Sequence, residues 1–266
     1  MGVHNLTPRP PSLPGKGETW SKNSPPRVGE GLGEGSAQHS GSGAEAQFNC
    51  APASGREQAV RFPSGGAQPV ELEGMLHLPG SDRHPAAIVC HPHPLYGGTM
   101  DNGVVVAIAQ ALAARGVAAL RFNFRGMGRS QGRFDGGAGE TDDARGALAF
   151  LRAQRGVDPQ RLYVVGYSFG AWVGLRCAGD AEIAGVVAVA PPLLVFPHEG
   201  LLRDFTGHRC FIVADNDQFC SVERLRAFVT TLPPSVEMKI IHGADHFLWG
   251  HERDVGELVA GFIAGQ

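Results

Sequence analysis

The pentapeptide Gly166-Tyr167-Ser168-Phe169-Gly170 presents a serine between two glycines. The apolar run Leu162-Tyr163-Val164-Val165 precedes it, and the helix-like stretch Ala171-Trp172-Val173-Gly174-Leu175 follows. Strand, sharp turn and helix in that order make a nucleophile elbow, which presents the serine oxygen at the top of a sheet. The two glycines let the helix approach the strand where a Cβ would clash. A serine hydroxyl attacks only when a base takes its proton and an acid orients that base. With this elbow, the partners follow along the chain in the order serine, acid, histidine.

Downstream of Ser168 stand His198, His208, His242, His246 and His251. His246 is the best base. It sits in Ile241-His242-Gly243-Ala244-Asp245-His246-Phe247, just beyond the last predicted strand. Loops at the C-terminal ends of parallel strands converge on the crevice where ligands bind. His242 lies nearer the strand and competes weakly. His251 falls at or inside the final helix, and His198 and His208 read as solvated loop residues. The acid should follow the strand Phe211–Ala214, where Asp215 and Asp217 both qualify. Asp217 is favoured, because the residue right after a strand tends to follow its direction while one further on can turn inward. The other carboxylate then serves the loop or a helix cap.

A tetrahedral oxyanion needs preorganised donors, here two backbone amides. One is expected at Phe169, the residue after the nucleophile. The other is expected in the loop His91-Pro92-His93-Pro94-Leu95-Tyr96-Gly97-Gly98-Thr99, after the strand Ala86–Cys90. Pro92 and Pro94 have no N–H to give, which leaves His93 as first choice and Leu95 as second.

Competing chemistries are weaker. His91 and His93 are spaced H-x-H, and zinc accepts histidine and carboxylate ligands. A metal would claim groups that the serine needs and leave the elbow unexplained. No metal and no organic cofactor is therefore expected, and His91 is read as holding its loop by hydrogen bonds. The turn Arg125-Gly126-Met127-Gly128-Arg129-Ser130-Gln131-Gly132 lacks the lysine and the helix entry of a phosphate loop. Arg125 is expected to pair with Glu140 or Asp142. Asp101 and Asn102 read as caps of the next helix, and Cys90 as a buried structural thiol.

These residues need a scaffold. Of 266 residues, 42% are hydrophobic and 18% charged, enough for one sizeable core. A net charge of -3 leaves no footprint for nucleic acid and no basic face for a membrane surface. There is no apolar run long enough to span a bilayer and no signal-peptide core. The five cysteines are scattered without metal-ligand spacing, which fits a reducing compartment and makes the cytoplasm the expected address. Residues 1–55, rich in proline and glycine with sparse apolar side chains, read as a disordered tail. Residues 56–266 read as one domain. Val60–Phe62 and Val70–Leu78 alternate as two antiparallel edge strands. Beyond them strands alternate with helices, which predicts an α/β fold with a mostly parallel sheet of about eight strands, covered on both faces. The short connector from Ala190 to Cys210 leaves no room for a large lid. A small cap helix around Leu201–Phe205 is the most it could hold, so an open site and small substrates are expected.

The chain resembles the alpha/beta-hydrolase superfamily over roughly residues 58–266. Within it, the chain is similar to a group of small bacterial serine hydrolases related to dienelactone-hydrolase-like and Xaa-Pro-peptidase-like domains. The segments His91–Asn102 and Phe122–Gly132, the elbow at Ser168 and Gly243–Phe247 carry the likeness. The resemblance implies Ser168 as nucleophile and His246 as base. The superfamily's G-x-x-D pattern falls on Ala214-Asp215-Asn216-Asp217, with alanine in place of glycine, and implies Asp217 as acid. Its usual H-G falls on His91-Pro92, with His93 as the oxyanion donor. The activity so implied is hydrolysis of a carboxylic ester or related acyl bond in a small molecule. Alternatives are a peptidase or amidase, or a catalytically silent scaffold that binds a ligand or partner. Acyl group, alcohol and oligomeric state stay open.

Overall fold

The run Ala86-Ala87-Ile88-Val89-Cys90 sends successive side chains to opposite faces of a sheet. Ala86, Ile88 and Cys90 join one apolar layer, and Ala87 and Val89 join another. The runs Val186–Val189 and Cys210–Val213 divide in the same alternating way. A sheet that is apolar on both faces needs helices on both. A computed structural model of the chain describes residues 56–81 and 83–266 and shows this arrangement. The expected tail over residues 1–55 lies outside the described residues.

Eight strands form one sheet: β1 (Arg56–Pro63), β2 (Glu71–Leu78), β3 (His84–Cys90), β4 (Ala118–Phe122), β5 (Val157–Tyr167), β6 (Gly185–Val189), β7 (His208–Ala214) and β8 (Val236–Ile241). Their order is β1-β2-β4-β3-β5-β6-β7-β8. β1 pairs antiparallel with β2, and β2 antiparallel with β4. All remaining pairs are parallel. The described α-helices are α1 (Gly103–Ala114), α2 (Ala138–Arg152), α3 (Phe169–Asp180), α4 (Val222–Val229) and α5 (Glu252–Ala264). α1 and α5 cover one face through Val105, Ile108, Leu112, Val255, Val259 and Ile263. α2, α3 and α4 cover the other through Leu151, Leu175 and Leu225.

Local chemistry starts these helices. Asn102 Oδ1 accepts the Val104 amide at 3.0 Å, the cap expected there, and Ser221 Oγ accepts the Arg224 amide at 3.2 Å. Asp101 instead binds the Arg121 guanidinium. β5 begins at Val157, ahead of the expected start at Leu162, and Val157 pairs with His84. Pro159 and its polar neighbours hide that extension from a search for apolar runs.

Residues 201–204 of the β6–β7 connector form turns, with no helix. Leu202 has a left-handed φ of 59° and a buried side chain, which interrupts helical geometry at the centre of the expected cap. The connector is tied down at Pro197 and Phe205. Trp172 Nε1 donates to Pro197 O at 2.8 Å. The buried Arg209 guanidinium donates to Phe205 O at 3.0 Å and to Pro234 O at 2.8 Å. Among the described residues no large lid stands over the sheet.

Candidate active site

β5 ends at Tyr167, and the chain reverses into α3 through Ser168. Ser168 holds φ 55° and ψ -119°, a conformation rarely adopted by a residue with a Cβ. Strain of this kind collects where a side chain must be presented rather than packed. A Cβ on Gly166 would lie 2.1 Å from Gly170 O, and one on Gly170 would lie 2.3 Å from Cys90 O. The elbow therefore closes only with glycine at both positions, and the start of α3 rests on the end of β3.

The structure brings Ser168, His246 and Asp217 together. Ser168 Oγ lies 2.9 Å from His246 Nε2. His246 Nδ1 lies 2.9 Å from Asp217 Oδ2 and 3.1 Å from Oδ1. With Nδ1–H donating to the carboxylate, Nε2 keeps its lone pair toward the serine hydroxyl. His246 and Asp217 are both buried. Asp217 Oδ1 also accepts the amides of Phe219 at 2.8 Å and Cys220 at 2.9 Å, which aim the carboxylate. The three side chains follow β5, β7 and β8, all at C-terminal strand ends. Asp215, the other candidate acid, turns away. It accepts from Gly243 N at 2.9 Å and faces His242 Nδ1 at 3.2 Å, bracing the loop after β8.

Tyr167 was not legible as a site residue. Its buried hydroxyl donates to His246 O at 3.0 Å, and burial pushes its pKa up, so it stays a neutral donor. Gln218 Oε1 accepts the His246 amide at 3.4 Å. A polar ring directly before Ser168 was the available signal for Tyr167.

In the loop after β3, the N–H groups of His93 and Phe169 have no hydrogen-bond acceptor among the described residues. The Leu95 amide is taken by His93 Nδ1 at 3.2 Å. His93 O accepts from Tyr96 N and Gly98 N, both at 3.1 Å, so the turn is rigid. The His93 ring lies 4.7 Å from the Phe169 ring, which brings the two loops side by side.

His91 has both ring nitrogens engaged. Nδ1–H donates to Pro92 O at 2.7 Å, and Nε2 accepts the Phe124 amide at 3.1 Å. Burial lowers its pKa from 6.5 to about 4. The unfolded chain thus takes up this proton first as pH falls, so folding loses stability between about pH 6.5 and about pH 4. The shift corresponds to about 3 kcal/mol over that window. Urea unfolding at pH 7 and near pH 4 should show the loss, and His91→Gln should flatten it. An unchanged slope in the variant would move the effect to another group.

Arg125 pairs with Asp143, not with Glu140 or Asp142. Arg125 Nη2 and Nε lie 2.8 and 3.0 Å from Asp143 Oδ1. Asp143 and Glu140 are both buried on α2, whereas Asp142 meets Arg145. Glu140 accepts the amides of Asp135 and Gly137 at the start of α2. Cys90 is buried, and burial pushes its thiol pKa up.

A family model described as an alpha/beta hydrolase domain matches residues 87–257. The chain belongs to this family. An uncharacterised protein of Rickettsia prowazekii is 36% identical over 184 residues, covering 66% of this chain and 77% of that one. An alpha-beta serine hydrolase homologue from Coxiella burnetii superposes with TM-score 0.68 at 33% identity, covering 77% of this chain and 96% of that one. An alpha/beta serine hydrolase without lid from Xanthomonas campestris gives TM-score 0.67 at 30% identity, covering 77% and 94%. Among the described residues no helix is long and apolar enough to cross a membrane.

Proposed function

We propose that the chain is a serine hydrolase that cleaves a carboxylic ester or related acyl bond of a small molecule through an acyl-enzyme, with residues 56–266 as its catalytic domain. The observation that carries this reading is the unbroken hydrogen-bonded line from Ser168 Oγ through His246 to Asp217, set on a strained elbow. Ser168 Oγ attacks the acyl carbon as His246 Nε2 takes its proton. Asp217 holds the imidazole in the productive tautomer and stabilises the imidazolium. The amides of Phe169 and His93 receive the negative charge on the carbonyl oxygen. His246 then protonates the departing alkoxide, leaving Ser168 acylated. Water, deprotonated by His246, attacks the acyl-enzyme and releases the carboxylic acid, and the proton returns to Ser168.

A fluorophosphonate probe tests this directly. It should label Ser168 and no other residue, and the Ser168→Ala chain should stay unlabelled. Turnover of an ester should exceed that of the matched amide. A folded protein that takes no label, or takes it elsewhere, would sink the reading.

A further inference from the structure

Five large apolar side chains stand exposed among the described residues: Leu95, Tyr96, Leu194, Phe247 and Trp249. Single exposed hydrophobes are ordinary, but these lie in the loops after β3, β6 and β8, the last of which holds His246. The Leu95 amide binds the His93 ring, and the Tyr96 ring lies 4.9 Å from it. The Leu194 amide donates to Phe219 O at 3.0 Å, and the Phe219 ring lies 4.6 Å from the His246 ring. Phe247 lies 5.8 Å from His246 and stacks on Trp249 at 5.5 Å.

The backbone after His246 explains the exposure. Leu248 has a left-handed φ of 55° and is only 1% exposed. Turning Leu248 into the core turns its neighbours out, leaving Phe247 42% and Trp249 79% exposed. Strain that places two aromatic rings in water beside a reaction centre marks a ligand contact. Across the nucleophile, Phe169 adjoins His93 at 4.7 Å, Phe196 at 5.6 Å and Trp172 at 5.8 Å. Phe169 and Trp172 are themselves buried, so the apolar surface open to a ligand lies on the Phe247 and Trp249 side. The connector above Ser168 is short and tied down, so a chain can continue outward past the site.

We propose that the substrate is an ester with an extended apolar acyl chain, lying along Phe247 and Trp249 while its carbonyl meets Ser168. This rests on the hydrolase reading above and departs from the expectation of small substrates. The acyl chain needs no closed pocket, because the stacked rings cover one of its sides and water the other.

The test is the full chain against p-nitrophenyl esters from acetate to decanoate, kept below their aggregation concentrations. kcat/KM should rise with length up to at least the octanoate, by no more than about fourfold per methylene, the value for full burial. In Phe247→Ser/Trp249→Ser the decanoate-to-acetate ratio should fall by about tenfold or more, as several methylenes lose cover. Trp249→Ser alone, at a nearly free side chain, should move the same ratio in the same direction if the double variant folds poorly. A profile that falls beyond butanoate, or variants that keep the wild-type ratio, would overturn the proposal. So would a length preference that appears only with phosphatidylcholine vesicles, since the rings would then be docking on a lipid surface. Calorimetric titration of Ser168→Ala separates the two readings, with methyl nonyl ketone expected to bind more tightly than methyl propyl ketone. That preference without ester cleavage by the wild type would overturn the hydrolase reading alone. Ester cleavage without any length preference would overturn the acyl-chain proposal alone.

Discussion

Ser168→Ala should lower kcat for ester hydrolysis by on the order of 10⁴- to 10⁶-fold while the protein stays folded. The hydroxyl makes one side-chain hydrogen bond, to His246 Nε2. Alanine has the same Cβ as serine, so the elbow's strain at φ 55° is unchanged. The glycines that permit the turn are also untouched. What disappears is the hydroxyl proposed to form the acyl-enzyme. The free amides of Phe169 and His93 would still polarise a carbonyl, so a residue of catalysis over water should survive. The comparison requires steady-state rates and thermal melts on both proteins. A variant within tenfold of the wild-type rate would place the nucleophile elsewhere.

Asp217→Asn should cost about 10⁴-fold in kcat near neutral pH, with little change in stability. An asparagine oxygen can still accept the Phe219 and Cys220 amides that now bond Asp217 Oδ1. Its NH2 group then faces His246 Nδ1, which must become an acceptor. The imidazole proton moves to Nε2, and the lone pair facing Ser168 is lost. Asp215→Asn provides the contrast, because Asp215 serves Gly243 and His242. Its kcat should stay within about threefold, as for an exposed structural carboxylate. If Asp215→Asn proved the more damaging, the two acids would have to exchange roles.

Much of this arrangement was legible because it is local. The strands of alternating or continuous apolar residues, the elbow and the position of each loop follow from neighbours in sequence. Asp217 could be preferred over Asp215 because it stands further past β7, where a loop residue can turn inward. The partner of Arg125 was not legible in the same way. Glu140, Asp142 and Asp143 share one helix, and which of them meets the loop depends on how α2 is rotated against the sheet. The turn at Leu202 and the one at Leu248 were hidden for a related reason. Leucine carries no sign of a left-handed backbone, and both turns exist because the core draws the side chain inward. Tyr167 needed the fold to reveal its acceptor, since His246 is distant from it in sequence.

That hydroxyl couples two parts that could otherwise move apart. Ser168 belongs to the turn after β5, one of the central strands, whereas His246 rides on a surface loop after the edge strand β8. Tyr167 fastens the loop's backbone to the residue that immediately precedes Ser168. A displacement of the loop is therefore shared with the strand before it can widen the gap between serine and histidine. Ser168 and His246 together inherit the stiffness of the sheet, even though only Ser168 is built on it.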